Sequence, residues 1–128
     1  MRTRFLIPLM LLGLAACSAS PAASDAPASE NQSTDALAVT VSDFMIDPSE
    51  LEVSGPTVTI NVTSDGPTPH NLTVRDAAGE VVMATEDLSV DGTDTITGEL
   101  EPGDYTIFCS LAGHESLGMS GTLTVTGP

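Results

Sequence analysis

Residues 104–126, DYTIFCSLAGHESLGMSGTLTVT, contain two strand-like stretches on either side of a nine-residue loop. Tyr105, Ile107 and Cys109 occupy alternate positions in the first stretch, and Leu123 and Val125 do so in the second. A period of two is typical of β-strands with one buried face. The segment therefore predicts two neighbouring strands joined by a loop between Cys109 and Met119.

The same alternation occurs upstream. It is found at Leu37, Val39 and Val41, and again at Val58, Ile60 and Val62. Further strands are predicted at residues 51–53, 71–74, 81–84 and 93–100, with turns at Asp-Pro, Gly-Pro, Asp-Gly and Pro-Gly pairs between them. Met45 and Met83 are expected to fill the core. With no convincing helix, the sequence predicts an all-β, Greek-key β-sandwich of about eight strands.

Composition limits the size and partners of the protein. The 128 residues suffice for one domain, and the 41% hydrophobic content is compatible with a folded core. Three Lys+Arg against 18 Asp+Glu give a formal charge of −15, with no lysine. Such a chain repels phosphate groups, which argues against binding to nucleic acid and against electrostatic adsorption to anionic membranes. We expect a monomer.

The amino terminus has the features of an export signal. Arg2 and Arg4 precede an apolar run of 12 residues at 5–16, which is shorter than the ~20 residues that a transmembrane helix needs. Residues 1–16 are therefore predicted to be a signal peptide. An exported protein folds in an oxidising compartment.

Residues 14–17, LAAC, resemble the lipoprotein box of bacteria, in which the cysteine is acylated. This resemblance implies lipid on Cys17 and an anchor on the outer or periplasmic face of a membrane. The alternative is a free Cys17 after an ordinary cleavage site. Residues 17–35 are rich in Ser, Ala and Pro and predict a flexible tether. The folded domain is expected at residues 36–128, and the chain from Cys17 onward would carry a charge of −17 from 18 acids and Arg75.

Four residues stand out as candidate metal ligands: His70, Cys109, His114 and Met119. If Cys17 is acylated, Cys109 has no thiol with which to form a disulfide, although the compartment is oxidising. Steps of two place Met119 in phase with Leu123, and His70 in phase with the apolar residues of its own strand. The loop between Cys109 and Met119 is long enough to wrap around one point with His114 midway.

Two imidazoles and a thiolate with a weak thioether form the ligand set of a blue-copper electron-transfer site. Zinc could take the two histidines and the cysteine with a water, but Met119 would then have no role. Taken singly, each residue also has a purely structural interpretation. A buried Cys109 could act as a small hydrophobe, and a lone histidine is often a surface or core residue.

The stretches TPHNLTV at 68–74 and YTIFCSLAGHESLGMSGTLTV at 105–125 resemble the cupredoxins, specifically the plastocyanin and azurin group. Together with the lipoprotein box, they are similar to membrane-tethered members such as halocyanins. The resemblance implies one type 1 copper ion, with His70, Cys109 and His114 as strong ligands and Met119 as the axial ligand. It also implies that Asn71 ties the two ligand loops together. Two glycines, at positions 113 and 118, would relieve crowding in the loop.

A metal held by four side chains offers no open position to a substrate, so we expect an electron carrier and not an enzyme. The expected partners are redox proteins such as a cytochrome, a terminal oxidase or a copper enzyme. Two alternatives remain open. One is a periplasmic copper chaperone or buffer that delivers copper to an oxidase. The other is a hydrolase with Cys109 as nucleophile and His70 or His114 as base.

Overall fold

The structure, a computed structural model, describes residues 36–128. The predicted signal peptide, Cys17 and the tether up to residue 35 lie outside the described residues. Within the described part the chain forms nine strands and one short 3₁₀ helix, Glu115–Leu117. The strands are β1 Leu37–Ser42, β2 Met45–Asp47, β3 Glu50–Ser54, β4 Thr57–Ser64, β5 Thr73–Arg75, β6 Val81–Ala84, β7 Thr93–Glu99, β8 Gly103–Phe108 and β9 Ser120–Thr126. No helix in this part of the chain is long and apolar enough to cross a membrane.

Two mixed sheets form the sandwich, in the strand orders β2-β1-β4-β7 and β3-β9-β8-β5-β6. The pairs β1–β4 and β3–β9 are parallel, and the remaining pairs are antiparallel. Successive strands change sheet repeatedly, as a Greek-key sandwich requires. The predicted all-β sandwich is confirmed, with nine strands in place of about eight.

The core lies between the two sheets and consists mainly of aliphatic side chains. In β4 the alternation is complete, since Val58, Ile60 and Val62 are buried while Thr57 and Asn61 are exposed. The period-two pattern thus gives one face of each sheet to the core, which is the main stabilising contribution to the fold. On the opposite sheet, Val74, Ile107, Leu123 and Val125 complete the layer, together with Leu72 just ahead of β5.

The prediction for Met45 was wrong. Met83 is buried at 7% exposure and lies in the core, whereas Met45 is 56% exposed. Met45 begins β2, a three-residue edge strand in which only the central Ile46 is buried. The strand was missed because three residues hold a single inward position, too few to display a period.

Candidate metal centre

Three of the predicted ligands lie together at one end of the sandwich. One ligand atom each from His70, Cys109 and His114 lies within 4.8 Å of the others. His70 and Cys109 are fully buried, and Cys109 is a free thiol. The Sγ of Cys109 is 3.5 Å from Nδ1 of His114, and the two imidazole rings have centroids 5.1 Å apart.

The pairing of β8 with β9 positions Cys109 and Met119. Cys109 directly follows β8 and Met119 directly precedes β9, and the amide of Cys109 donates to the carbonyl of Met119 at 3.1 Å. The amide of Met119 donates in turn to the carbonyl of His114 at 3.1 Å. The side chain of Met119 is fully buried. Met119 therefore has backbone bonds to two of the three clustered residues.

The loop between the two strands is folded by a single turn of 3₁₀ helix. Gly113 and Gly118 flank this turn with φ angles of 84° and 103°, a region that favours glycine. A Cβ at either position would meet nothing within 4 Å. The expectation that these glycines relieve crowding is therefore wrong, and the loop requires them for their backbone conformation.

His70 is fixed through its backbone and through one ring nitrogen. Its amide and carbonyl exchange hydrogen bonds with Leu88 at 2.9 and 2.7 Å, which holds the residue ahead of β5. Its Nε2 lies 3.0 Å from Oδ1 of Asp43 and 3.2 Å from the hydroxyl of Thr68. Its Nδ1 is buried and has no hydrogen-bond partner among residues 36–128. A buried ring nitrogen without a partner requires an explanation, and a bound metal ion supplies one.

Asp43 is the site residue that the sequence analysis missed. The Thr68 hydroxyl donates to its carboxylate at 2.7 Å and holds the pKa of Asp43 below its usual value, and the contact with His70 lowers this pKa further. Among 18 acidic residues, Asp43 carries no sequence signal of its own. Only the folded chain places Asp43 next to His70, which lies 27 positions further along the sequence.

Asn71 connects the segment of His70 with the segment of Cys109. Its Oδ1 accepts from the amide of Ser110 at 2.8 Å, and its Nδ2 donates to the Ser110 hydroxyl at 2.9 Å. The same Nδ2 also donates to Asp87 at 2.8 Å. Asn71 therefore links three segments around the cluster, one more than the two loops expected.

His114 is the one clustered residue that reaches the surface. It is half-buried, whereas His70, Cys109 and Met119 are inaccessible. The ring of Phe44, itself 46% exposed, packs edge-on against His114 with centroids 5.5 Å apart. Leu117, in the 3₁₀ helix that follows His114, is 62% exposed. His114 thus connects the buried cluster with solvent and lies beside an apolar rim formed by Phe44 and Leu117.

The donor set fits copper. Two imidazoles and one thiol at mutual distances under 4.8 Å provide nitrogen and sulfur ligands, and the buried thioether of Met119 follows on the same loop. Backbone hydrogen bonds, together with the contacts of Asp43 and Asn71, hold these donors in place.

Comparisons with known proteins identify the fold. Residues 8–125 match the family described as Cupredoxin-like domain, while no curated protein matches the chain. A dithionite-reduced auracyanin from the photosynthetic bacterium Roseiflexus castenholzii is similar, with a TM-score of 0.64, 22% identity, and coverage of 71% of this chain and 96% of that one. Auracyanin B has the same TM-score at 18% identity, with coverage of 71% and 88%.

An azurin isoform from the methylotroph Methylomonas sp. strain J gives a TM-score of 0.61 at 22% identity, covering 70% of this chain and 95% of that chain. At these identities the structural neighbours establish the fold alone. The family match spans residues 8–125 and therefore also establishes the family. This protein belongs to the cupredoxin-like domain family.

Proposed function

We propose that this protein is a type 1 blue-copper protein that carries single electrons between redox partners. The observation that carries the proposal is the cluster of one ligand atom each from His70, Cys109 and His114 within 4.8 Å. The buried thioether of Met119 would add a further, weaker ligand. When bound, copper would supply one-electron exchange between Cu(II) and Cu(I), and the nitrogen and sulfur donors of His70, Cys109 and His114 would hold it.

The residues of the site favour electron transfer over catalysis. Cys109, His70 and Met119 are inaccessible to solvent, so a substrate has no approach to them. The thiol of Cys109 lies 3.5 Å from His114, a distance that could also suit a nucleophile and its base. A hydrolase, however, requires an accessible nucleophile, and a fully buried Cys109 does not meet this requirement.

His114 is the proposed path for electrons. Its ring lies between the buried cluster and the surface, and the exposed side chains of Phe44 and Leu117 provide apolar area beside it. A partner that covers this rim would come close to the ring of His114 while excluding water. We propose redox proteins such as a cytochrome or a terminal oxidase as the partners.

The proposed location follows from the amino-terminal sequence. Acylation of Cys17 and a flexible tether up to residue 35 would hold the domain at the outer or periplasmic face of a membrane. Mass spectrometry of the protein from its host would show the lipid on Cys17. A mature chain with an unmodified Cys17 would contradict the anchor without affecting the copper proposal.

A visible spectrum tests the copper site. The protein loaded with one Cu(II) should be intensely blue because of charge transfer from the Cys109 thiolate, and Cys109→Ser should abolish the colour while the sandwich stays folded. Met45→Leu, a change at an exposed position of β2, is the matched control and should keep the colour. A colourless wild type with stoichiometric copper would contradict the proposal.

A further inference from the structure

Asp43 and His70 form a carboxylate–imidazole contact behind the metal centre. Asp43 lies in the two-residue turn between β1 and β2, where Phe44 adopts a φ of 59°. This turn brings Oδ1 of Asp43 to 3.0 Å from Nε2 of His70. The hydroxyl of Thr68 donates to the same oxygen at 2.7 Å, so two donors converge on one carboxylate oxygen.

The contact determines which nitrogen of His70 carries the proton. A carboxylate only accepts hydrogen bonds, so the hydrogen of the pair belongs to Nε2 of His70. A proton on Nδ1 would be buried without an acceptor among the described residues, at the cost of an unsatisfied polar group. The neutral ring therefore has a proton on Nε2 and a lone pair on Nδ1.

Gly66 packs directly against this contact. A Cβ at Gly66 would lie 2.9 Å from Nε2 of His70 and 3.0 Å from Oδ1 of Asp43, closer than real side chains pack. The position therefore accepts only glycine while the hydrogen bond is in place. Because the backbone at Gly66 lies directly against the pair, the chain encloses the Asp43–His70 bond on that side.

We propose that Asp43 is a positioning residue for the metal centre, which fixes His70 with Nδ1 as the donor nitrogen and shifts the copper equilibrium toward Cu(II). A carboxylate that accepts a hydrogen bond from the N–H at Nε2 makes the other ring nitrogen a stronger electron donor. A stronger donor stabilises the more highly charged Cu(II) more than Cu(I). This inference rests on the proposed copper site, but the positioning of His70 by Asp43 can be tested in the metal-free protein.

Nuclear magnetic resonance of the metal-free full chain tests the positioning. Long-range ¹H–¹⁵N spectra, recorded at a pH where the imidazole of His70 is neutral, should show a proton on Nε2 and none on Nδ1. Asp43→Ala removes the acceptor and should give a mixture of the two tautomers, whereas Asp43→Asn retains an acceptor oxygen and should preserve the Nε2 proton. A proton on Nδ1 in the wild type, or an unchanged tautomer in Asp43→Ala, would overturn the proposal.

The reduction potential tests the effect of Asp43 on the copper equilibrium. Asp43→Asn should shift the Cu(II)/Cu(I) equilibrium toward Cu(I) by about tenfold, which is ~59 mV for one electron. The charge-matched control is Asp65→Asn. Asp65 is exposed, its amide binds the Val41 carbonyl at 2.8 Å, and its carboxylate makes no hydrogen bond within the described part of the chain.

The control separates a specific effect from a general loss of charge. Equal shifts of the reduction potential in Asp43→Asn and Asp65→Asn would overturn the role of Asp43 in setting that potential. A wild type that binds no copper would overturn the proposed function and the redox half of the inference together. The tautomer of the metal-free protein would still decide whether Asp43 positions His70.

Discussion

Arg75 on β5 forms an ion pair with Glu115, the residue that follows His114 in the ligand loop. One guanidinium nitrogen donates to Oε2 of Glu115 at 3.2 Å, and the guanidinium carbon lies 4.3 Å from the centre of the Phe108 ring. Arg75 is the only Lys or Arg in residues 36–128. The single cation of the folded domain thus attaches the ligand loop to the neighbouring strand.

A double-mutant cycle should measure this attachment. Both side chains are about one-third exposed, so the coupling between Arg75→Gln and Glu115→Gln should be less than about 1 kcal/mol in the free energy of unfolding. Arg75→Gln should destabilise more than Glu115→Gln, because it also removes the contact with Phe108, worth ~0.5–1 kcal/mol. Denaturant unfolding of the four proteins gives these values. Equal losses in the two single variants would exclude a contribution from Phe108.

Substitutions of Met119 should move the reduction potential in opposite directions. If its thioether donates weakly to the oxidised metal, Met119→Leu removes stabilisation that Cu(II) needs more than Cu(I), and the potential should rise. Met119→Gln supplies a harder oxygen donor and should lower it. Voltammetry of the three copper-loaded proteins provides the comparison. Identical potentials would show that Met119 is not a ligand.

Gly121→Ala should destabilise the sandwich. A Cβ at Gly121 would overlap the carbonyl oxygen of Ser49 and lie 3.1 Å from its Cα, and this carbonyl accepts the amide of Thr122 at 2.8 Å. Relief of the clash requires movement of backbone, so we expect a loss of roughly 1–3 kcal/mol in the free energy of unfolding. Gly127→Ala is the matched control because its Cβ would meet nothing within 4 Å. Similar unfolding curves for the two variants would contradict the clash.

Two explanations of the acidic surface predict different responses to salt. If the charge steers the protein toward a basic partner, the bimolecular rate with a basic cytochrome should fall steeply between ~0.01 and ~0.15 M ionic strength, as the Debye length shrinks from about 30 to about 8 Å. If the charge is an adaptation to a salty habitat, molar salt should increase the stability of the fold by screening repulsion among carboxylates. Stopped-flow kinetics and denaturant unfolding measure the two effects. A rate that is indifferent to salt would exclude steering.

The sequence was sufficient to predict the fold class and the strand phases near the site. Cys109 and Met119 were placed by counting in steps of two from Ile107 and Leu123, and both are buried in the structure. This succeeded because β8 and β9 are antiparallel neighbours whose register is continuous up to the loop. Where a strand has several inward residues, its period is a strong local signal.

Other features depend on contacts that no local pattern encodes. The exposure of Met45 follows from its place on an edge strand, which is a property of the sheet order. The contact of Asp43 with His70 and the approach of Gly66 to both depend on the meeting of two separate loops. A single sequence with 18 similar acidic residues contains no signal that would select Asp43.

The parallel pairing of β3 with β9 has a consequence for the order of folding. Glu50 pairs with Thr122, seventy-two positions further along the chain, and Ser54 pairs with Thr126. Such distant pairings cost loop-closure entropy before they give any stabilisation, so they form slowly. Cys109 is buried in a core to which both sheets contribute, so its thiol is enclosed only after these distant pairings have formed, and until then it is accessible to oxidants. The period of greatest chemical risk to the metal centre is therefore the folding of the chain, before the thiol is enclosed.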